Sequence, residues 1–213
     1  CQLTSCLQMY PNQNIFDCGN LLTLVSGNNN KLRLFSEEGQ FIKHVNDMHL
    51  KKPQHLSIAR SDGRLIITDE GSSEVKVLSP DGNDQLVSMT APHCDEYPEC
   101  AVCHQNKFYV SYPCDHCIKV FDKTGVYLHG IGFKGSRDGQ FHFPLGLVID
   151  KYNQLIVCDS DNLRLQLFTL SGKFLRKLQG EYFKNNRPKY AAFNNNGNLI
   201  VAGSFGIFIF VNP

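Results

Sequence analysis

The stretch Val148–Gly180, VIDKYNQLIVCDSDNLRLQLFTLSGKFLRKLQG, decides how the chain is read. It begins on an apolar run, breaks at Lys151-Tyr152-Asn153, resumes at Leu155, turns through Asp159–Asn162 and runs on to Phe168. A turn at Gly172 and a last strand follow. The run LIV is apolar throughout, which suits a strand covered on both faces, whereas RLQLF alternates and sends one set of side chains to each face of a sheet. Short strands joined by Asn, Asp and Gly turns predict one antiparallel meander.

Working outward, the same grammar recurs in LLTLVSGNNNKLRLF, LIITDEGSSEVKVL, FYVSYPCDHCIKVF and LIVAGSFGIFIF. The large residues that end the five copies are Phe35, Leu78, Phe121, Phe168 and Phe210, spaced 43, 43, 47 and 42 residues apart. Preceding strands (HLSIA, CAVCH, LGLVID, KYAAF) lead into the copies, and a following one (QFIKHV, VYLHGI, KFLRKL) completes most of them. A four-stranded unit of about 43 residues, repeated, predicts an all-β chain folded as a β-propeller.

The ends set the expected blade count. Only Val211, Asn212 and Pro213 follow Phe210, so the last blade lacks its outer strand. Residues 1–9 are the expected closing strand, which would cover an open edge. Five four-stranded blades result, at approximately 10–47, 48–92, 93–132, 133–180 and 181–213; a truncated six-bladed ring is the alternative.

Composition fits one packed domain. Of 213 residues, 42% are hydrophobic, Lys and Arg number 21 and Asp and Glu 20, so bulk charge argues for neither a nucleic-acid nor a membrane surface. No apolar run approaches the ~18 residues of a membrane span. The chain starts at Cys1 rather than Met, as expected of a fragment of something longer.

Val148–Gly180 resembles the NHL repeat, with Asp159, Asn162, Arg164, Phe168 and Gly172 on its motif and GSRDGQFHFP before it. In the second copy Asp69 is kept but Glu74 stands in the basic position; Asn29 and Lys31 keep a polar pair in the first. With no Trp in the chain, the WD and YWTD propellers do not fit. The resemblance implies a non-catalytic recognition domain, such as the carboxyl-terminal domain of tripartite-motif (TRIM-NHL) ubiquitin ligases. There it would bind RNA or protein, in the cytoplasm and without a cofactor, while any ligase activity would reside in other domains.

The residues themselves offer little catalytic chemistry. No nucleophile elbow, Walker loop or catalytic carboxylate pair is found. Innermost-strand positions around a propeller channel would carry Gln13, Gln54, His55, Leu145 and Tyr190, and one histidine is not a metal site. The nine cysteines include Cys100, Cys103, Cys114 and Cys117 in two C-x-x-C pairs, the spacing of a zinc ribbon. The repeat sets Cys103 roughly 20 Å from the second pair, at ~3.3 Å per strand residue, so joint ligation is not expected. His93, Cys94, Cys100, Cys114, His116 and Cys117 share one face of the third blade as buried or oxidisable thiols, a zinc site or a disulfide.

Binding is what remains. The connections between blades are basic at HVNDMHLKKPQ (Lys51, Lys52), GIGFKGSRDGQFHFP (Lys134, Arg137) and GEYFKNNRPK (Lys184, Arg187, Lys189), and acidic at APHCDEYPE. From Tyr182 to Tyr190 aromatic and basic residues interleave, as in single-stranded RNA sites, where rings stack on bases and cations neutralise phosphates. The expected RNA site is therefore Tyr182, Lys184, Arg187, Lys189 and Tyr190, flanked by Arg164, Arg137, Lys51, Lys52 and Lys31 on a monomeric domain. The same letters also suit a solvated loop whose aromatics pack on the next blade, and Arg164 could instead pair with Asp159 or Asp161. A protein partner is the alternative to RNA.

Deleting residues 1–8 is expected to expose a sheet edge and lower the melting temperature; an unchanged melting temperature would refute the closing-strand assignment.

Overall fold

The computed structural model describes residues 20–25, 31–36, 40–45, 50–92 and 96–211. Among the described residues five sheets succeed one another, and within each the strands neighbour in sequence order. The first holds β1 (Asn20–Val25), β2 (Lys31–Ser36) and β3 (Phe41–Val45). The second holds β4 (Pro53–Ile58), β5 (Leu65–Asp69), β6 (Glu74–Leu78) and β7 (Gln85–Met89). The third holds β8 (Ala101–His104), β9 (Lys107–Tyr112), β10 (Cys117–Asp122) and β11 (Tyr127–Ile131). The fourth holds β12 (Pro144–Ile149), β13 (Gln154–Asp159), β14 (Arg164–Thr169) and β15 (Phe174–Leu178), and the fifth β16 (Pro188–Phe193), β17 (Leu199–Gly203) and β18 (Gly206–Phe210). The expected closing strand at 1–9 and Gln13, an expected innermost-strand position, lie outside the described residues.

The repeat seen in the letters is also a repeat of register. Leu21 pairs with Phe35, Leu65 with Leu78, Leu155 with Phe168 and Leu199 with Phe210, all antiparallel. The chain divides into two compact units, Cys1–Phe108 with Phe121–Tyr127 and Tyr109–Val120 with Leu128–Pro213. In the first, Leu32, Leu34, Val45, Leu50, Leu56, Leu65, Ile67 and Leu78 form one buried cluster. In the second, Val148, Ile156, Cys158, Leu165 and Leu167 pack with Phe183, Ala191, Leu199 and Val201. Each Val, Leu, Ile or Phe side chain among them contributes about 1.5–3 kcal/mol on full burial. Strands β12 and β16 approach closely at Gly146, where a Cβ would lie 2.6 Å from the Lys189 carbonyl oxygen and 2.7 Å from the Tyr190 Cα.

A buried carboxylate ends the second strand of the two best-matched repeats. Asp159 accepts from the His142 N–H (2.8 Å), Asn162 Nδ2 (2.9 Å), Arg164 Nε (2.7 Å) and Gln166 Nε2 (2.9 Å). Asp69 accepts from the Lys51 and Lys52 N–H groups (3.0 and 2.7 Å), Ser72 Oγ (3.0 Å) and Lys76 Nζ (2.9 Å). Each carboxylate thus ties the connection leading into its blade to the turn between the second and third strands. A main-chain bond doubles the tie, from Glu70 N–H to the Lys52 carbonyl and from Asp161 N–H to the His142 carbonyl, both 3.0 Å. Each turn is a one-turn 3-10 helix closed by a left-handed residue, Ser73 or Leu163.

In the second copy the cation comes from Lys76 rather than from the Glu74 position. Side chains two apart on a strand share a face, so Lys76, in register with Gln166, reaches the carboxylate from one step further along. Burial raises the Asp69 pKa, but the Lys52 and Lys51 amides, the Lys76 ammonium and the Ser72 hydroxyl outweigh it and leave the pKa below the ordinary value. A depressed carboxylate pKa adds stability that is complete above about pH 4 and is lost as pH falls through the folded value.

Asp159→Asn keeps the shape but strands the Arg164 guanidinium, which is 4% exposed, without its counter-charge. Urea unfolding should record a loss of about 3–5 kcal/mol, and Asp69→Asn a comparable one through Lys76. Losses below about 1 kcal/mol would show that neither carboxylate is structural.

Candidate functional site

The segment richest in exposed cations and aromatics is the connection from β15 to β16. After Gly180 it makes a one-turn 3-10 helix, Glu181–Phe183, which buries Phe183 and turns Tyr182 outward. Phe183 packs on Phe208 and Phe210, with ring centroids 5.9 and 6.0 Å away. Tyr182 lies edge-on to Phe210 at 5.5 Å yet stays 63% exposed. Tyr182 therefore packs on the fifth sheet by one edge and leaves the rest of its ring to solvent.

Asn186 fixes the rest of the connection. It is buried, its N–H donates to the Phe183 carbonyl (3.0 Å), and its Oδ1 accepts from the Phe205 N–H (3.0 Å). Gly203 occupies the position held by Asp69 and Asp159 in the other copies, and a Cβ there would collide with Asn186 Oδ1. The fifth blade thus makes the same tie in the opposite direction, with the polar side chain on the connection. The Ser204 N–H donates to the Arg187 carbonyl at 3.1 Å, matching the main-chain bonds of the second and fourth sheets. The Arg187 backbone is anchored while its side chain is 60% exposed; that of Lys184 is 70% exposed.

These cations have acidic neighbours. Arg187 Nη1 lies 3.3 Å from Asp161 Oδ1, and Lys184 Nζ lies 3.8 Å from Glu181 Oε2. Lys189 is exposed on β16, and Tyr190 is half-buried beside Gly146. In the same unit Arg137 and Lys134 are exposed on the connection between β11 and β12. Arg137 contributes its carbonyl to the frame, and Asp138 takes Lys177 at 2.8 Å.

Arg164 requires a correction. Expected as a flanking contact, it is buried, with Nε on Asp159 and Nη2 donating to the carbonyls of Arg137 (2.8 Å) and Gln140 (3.0 Å). A guanidinium with that many internal partners holds the connection in place rather than meeting a ligand. Lys51 and Lys52 belong to the other unit. Their amides serve Asp69; the Lys52 side chain is exposed and pairs with Glu70, which also accepts from Gln54. Lys31 opens β2 in that unit as well.

Among the histidines and thiols, His55 is buried on β4, its Nε2 3.5 Å from Cys100 Sγ, and burial pushes its pKa down to about 4, so it is neutral near pH 7. Cys103 lies half-buried on β8, where burial raises its pKa. His93 and Cys94 lie outside the described residues. Among the described residues no three His, Cys, Asp or Glu side chains converge as a metal-binding group. No described helix is long and apolar enough to cross a membrane.

Two features escaped the sequence reading. The Gly203 substitution is the one signal that could have pointed to Asn186, because a blade without the strand-end carboxylate needs another polar tether. The second is the contact of His116 with His142, whose rings lie 5.2 Å apart; nothing in the spacing of the two residues announces it.

No protein-family model matches the chain. It is 30% identical to protein brain tumor of Drosophila melanogaster over 103 residues, 47% of this chain and 10% of that protein. It is 35% identical to the E3 ubiquitin-protein ligase TRIM32 of Homo sapiens over 54 residues, 25% of this chain and 8% of that one. The matched segments thus span a tenth or less of these relatives. Among solved structures, a virginiamycin B lyase from Staphylococcus aureus superposes with a TM-score of 0.71 at 14% identity, covering 92% of this chain and 64% of that one. A chain of a nidogen/laminin complex gives 0.70 at 14% identity, covering 87% and 68%. At such identity these likenesses speak for the fold alone, and an enzyme stands among them. Repeat, strand register and solved structures agree that the chain is a β-propeller, and parts of its sequence are similar to brain tumor and TRIM32, in line with the resemblance of Val148–Gly180 to the NHL repeat.

Proposed function

We propose that this propeller is a non-catalytic recognition domain for single-stranded or hairpin RNA, the targeting part of a TRIM-NHL-like post-transcriptional regulator in the cytoplasm. One observation carries the reading. The exposed face of Tyr182 shares a tethered connection with the outward side chains of Lys184 and Arg187, and exposed Lys189 follows on β16. A base stacked on such a ring gains about 1–3 kcal/mol, and each lysine or arginine that neutralises a phosphate adds a salt-dependent increment. Asn186 and the Ser204 bond lower the cost of ordering the segment, because its backbone is already fixed.

A second reading, recruitment of a protein partner, draws on the acids. Glu181, Asp161 and Asp138 alternate with the cations of this unit, a mixed pattern that suits a protein surface better than a uniformly anionic strand. Any ubiquitin ligation by the whole protein would then act on that partner.

Anisotropy titrations of a fluorescent pool of single-stranded RNA, run at several salt concentrations, separate the two readings. Arg187→Glu with Lys189→Glu should weaken binding by about 2–3 kcal/mol at 0.1 M salt and reduce the log–log salt slope by about 1.4, or ~0.7 per lost phosphate contact. The melting temperature should stay near that of the parent. Affinity of the parent protein weaker than micromolar at physiological salt would reject the RNA reading in favour of the protein one.

A further inference from the structure

Phe143 stands in an unfavourable conformation. Its φ of 58° puts an aromatic residue in the left-handed region, and it precedes Pro144, a position that restricts the backbone further. Its N–H finds an acceptor in a side chain 27 residues earlier, His116 Nδ1, at 3.1 Å. A main-chain N–H can donate only to an imidazole nitrogen without a proton, so the contact assigns the ring proton to Nε2. His116 is itself left-handed, at φ 54°, and its own N–H closes the turn onto the Pro113 carbonyl at 3.1 Å.

We propose that His116 is a pH-sensitive latch on the His142–Pro144 connection, closed while Nδ1 accepts from Phe143 and opened when Nδ1 takes a proton. Protonation turns the acceptor into a donor, and two N–H groups then face each other across a hydrogen-bond distance. Phe143 loses the partner that compensates its backbone, and the connection into β12 loosens beside Arg137 and Asp161.

The surroundings favour the closed form near neutral pH. The groups facing His116 are Asp115 on its own turn, Lys134 and His142 on the connection between β11 and β12, and Asp161 on the turn after β13, itself paired with Arg187. Burial lowers the His116 pKa most, Lys134 and His142 lower it further, and Asp161 and Asp115 offset this only in part. With the folded value below the ordinary 6.5, the stabilisation is complete above about 6.5 and is lost as pH falls through the folded value. His142 Nδ1 lies 3.8 Å from Asp161 Oδ2. The latch rests on this loop geometry, whatever the domain binds.

Amide hydrogen exchange at Phe143, corrected for the intrinsic pH dependence of exchange, tests it. In the parent protein the protection factor should be constant from pH 8 to 7 and fall at least tenfold by pH 5. His116→Asn keeps an acceptor in place of Nδ1, does not titrate and tolerates the left-handed backbone, so protection should persist at pH 5. His116→Phe should lose protection at every pH. Parent protection that is constant down to pH 5, or a His116→Asn variant that still loses it in acid, would overturn the proposal. The His116→Asn comparison decides the matter even if His116→Phe does not fold.

Discussion

The arrangement depends on one constraint: a carboxylate with no exposure to water, placed where the second strand of a blade ends. An ionised group removed from water has to be answered by partners, and the answer here is the same in two blades, two or more hydrogen bonds from main chain or neutral side chains plus one buried cation. Because the partners come from the preceding connection, from the turn and from the third strand, meeting the charge also fixes three pieces of backbone. The third and fifth blades show what stands there where the carboxylate is absent. The third has Tyr112 at that position, and Lys119 lies over its ring at 4.5 Å while reaching Asp115 at 2.6 Å. The fifth has Gly203 and takes the polar group from Asn186. In the fifth blade the tether outlasts the residue type that makes it.

That constraint explains how a surface can be built on irregular chain. Connections between blades carry the exposed side chains of Arg137, Lys184 and Arg187, and each connection is bonded through its backbone to a sheet. Recognition residues usually sit on loops, and they are effective only where a scaffold orders them. The charges divide accordingly. Arg164, Lys76 and Lys119 are buried and pair internally, whereas Lys184, Arg187 and Lys189 point to water.

This division marks the limit of what the amino-acid sequence shows. Strand positions were legible because alternation and turn residues are local, and the spacing of Phe35, Leu78, Phe168 and Phe210 reappears as register. The exposure of Tyr182 and Lys184 was legible too, since a connection with this composition has few ways to bury its charges. The fate of Arg164 was not, because two readings of one cation, surface contact or partner of Asp159, differ only in where the preceding connection passes. Lys76 was hidden by a two-residue shift along its strand, which exchanges Glu74 for a cation on the same face. His116 acts on a residue 27 positions away, and no local pattern encodes that meeting.

The most direct test of the carboxylate constraint is the hydrogen exchange of two amides outside every regular strand, those of Lys52 and His142, in the unmodified protein. Both donate to a buried carboxylate, at 2.7 and 2.8 Å. Clamped connections require that they exchange as slowly as amides in β6 and β14, because both would open only with the sheet they are bonded to. Exchange at the rate of an open loop would contradict the claim that these carboxylates hold the connections and the surface they carry.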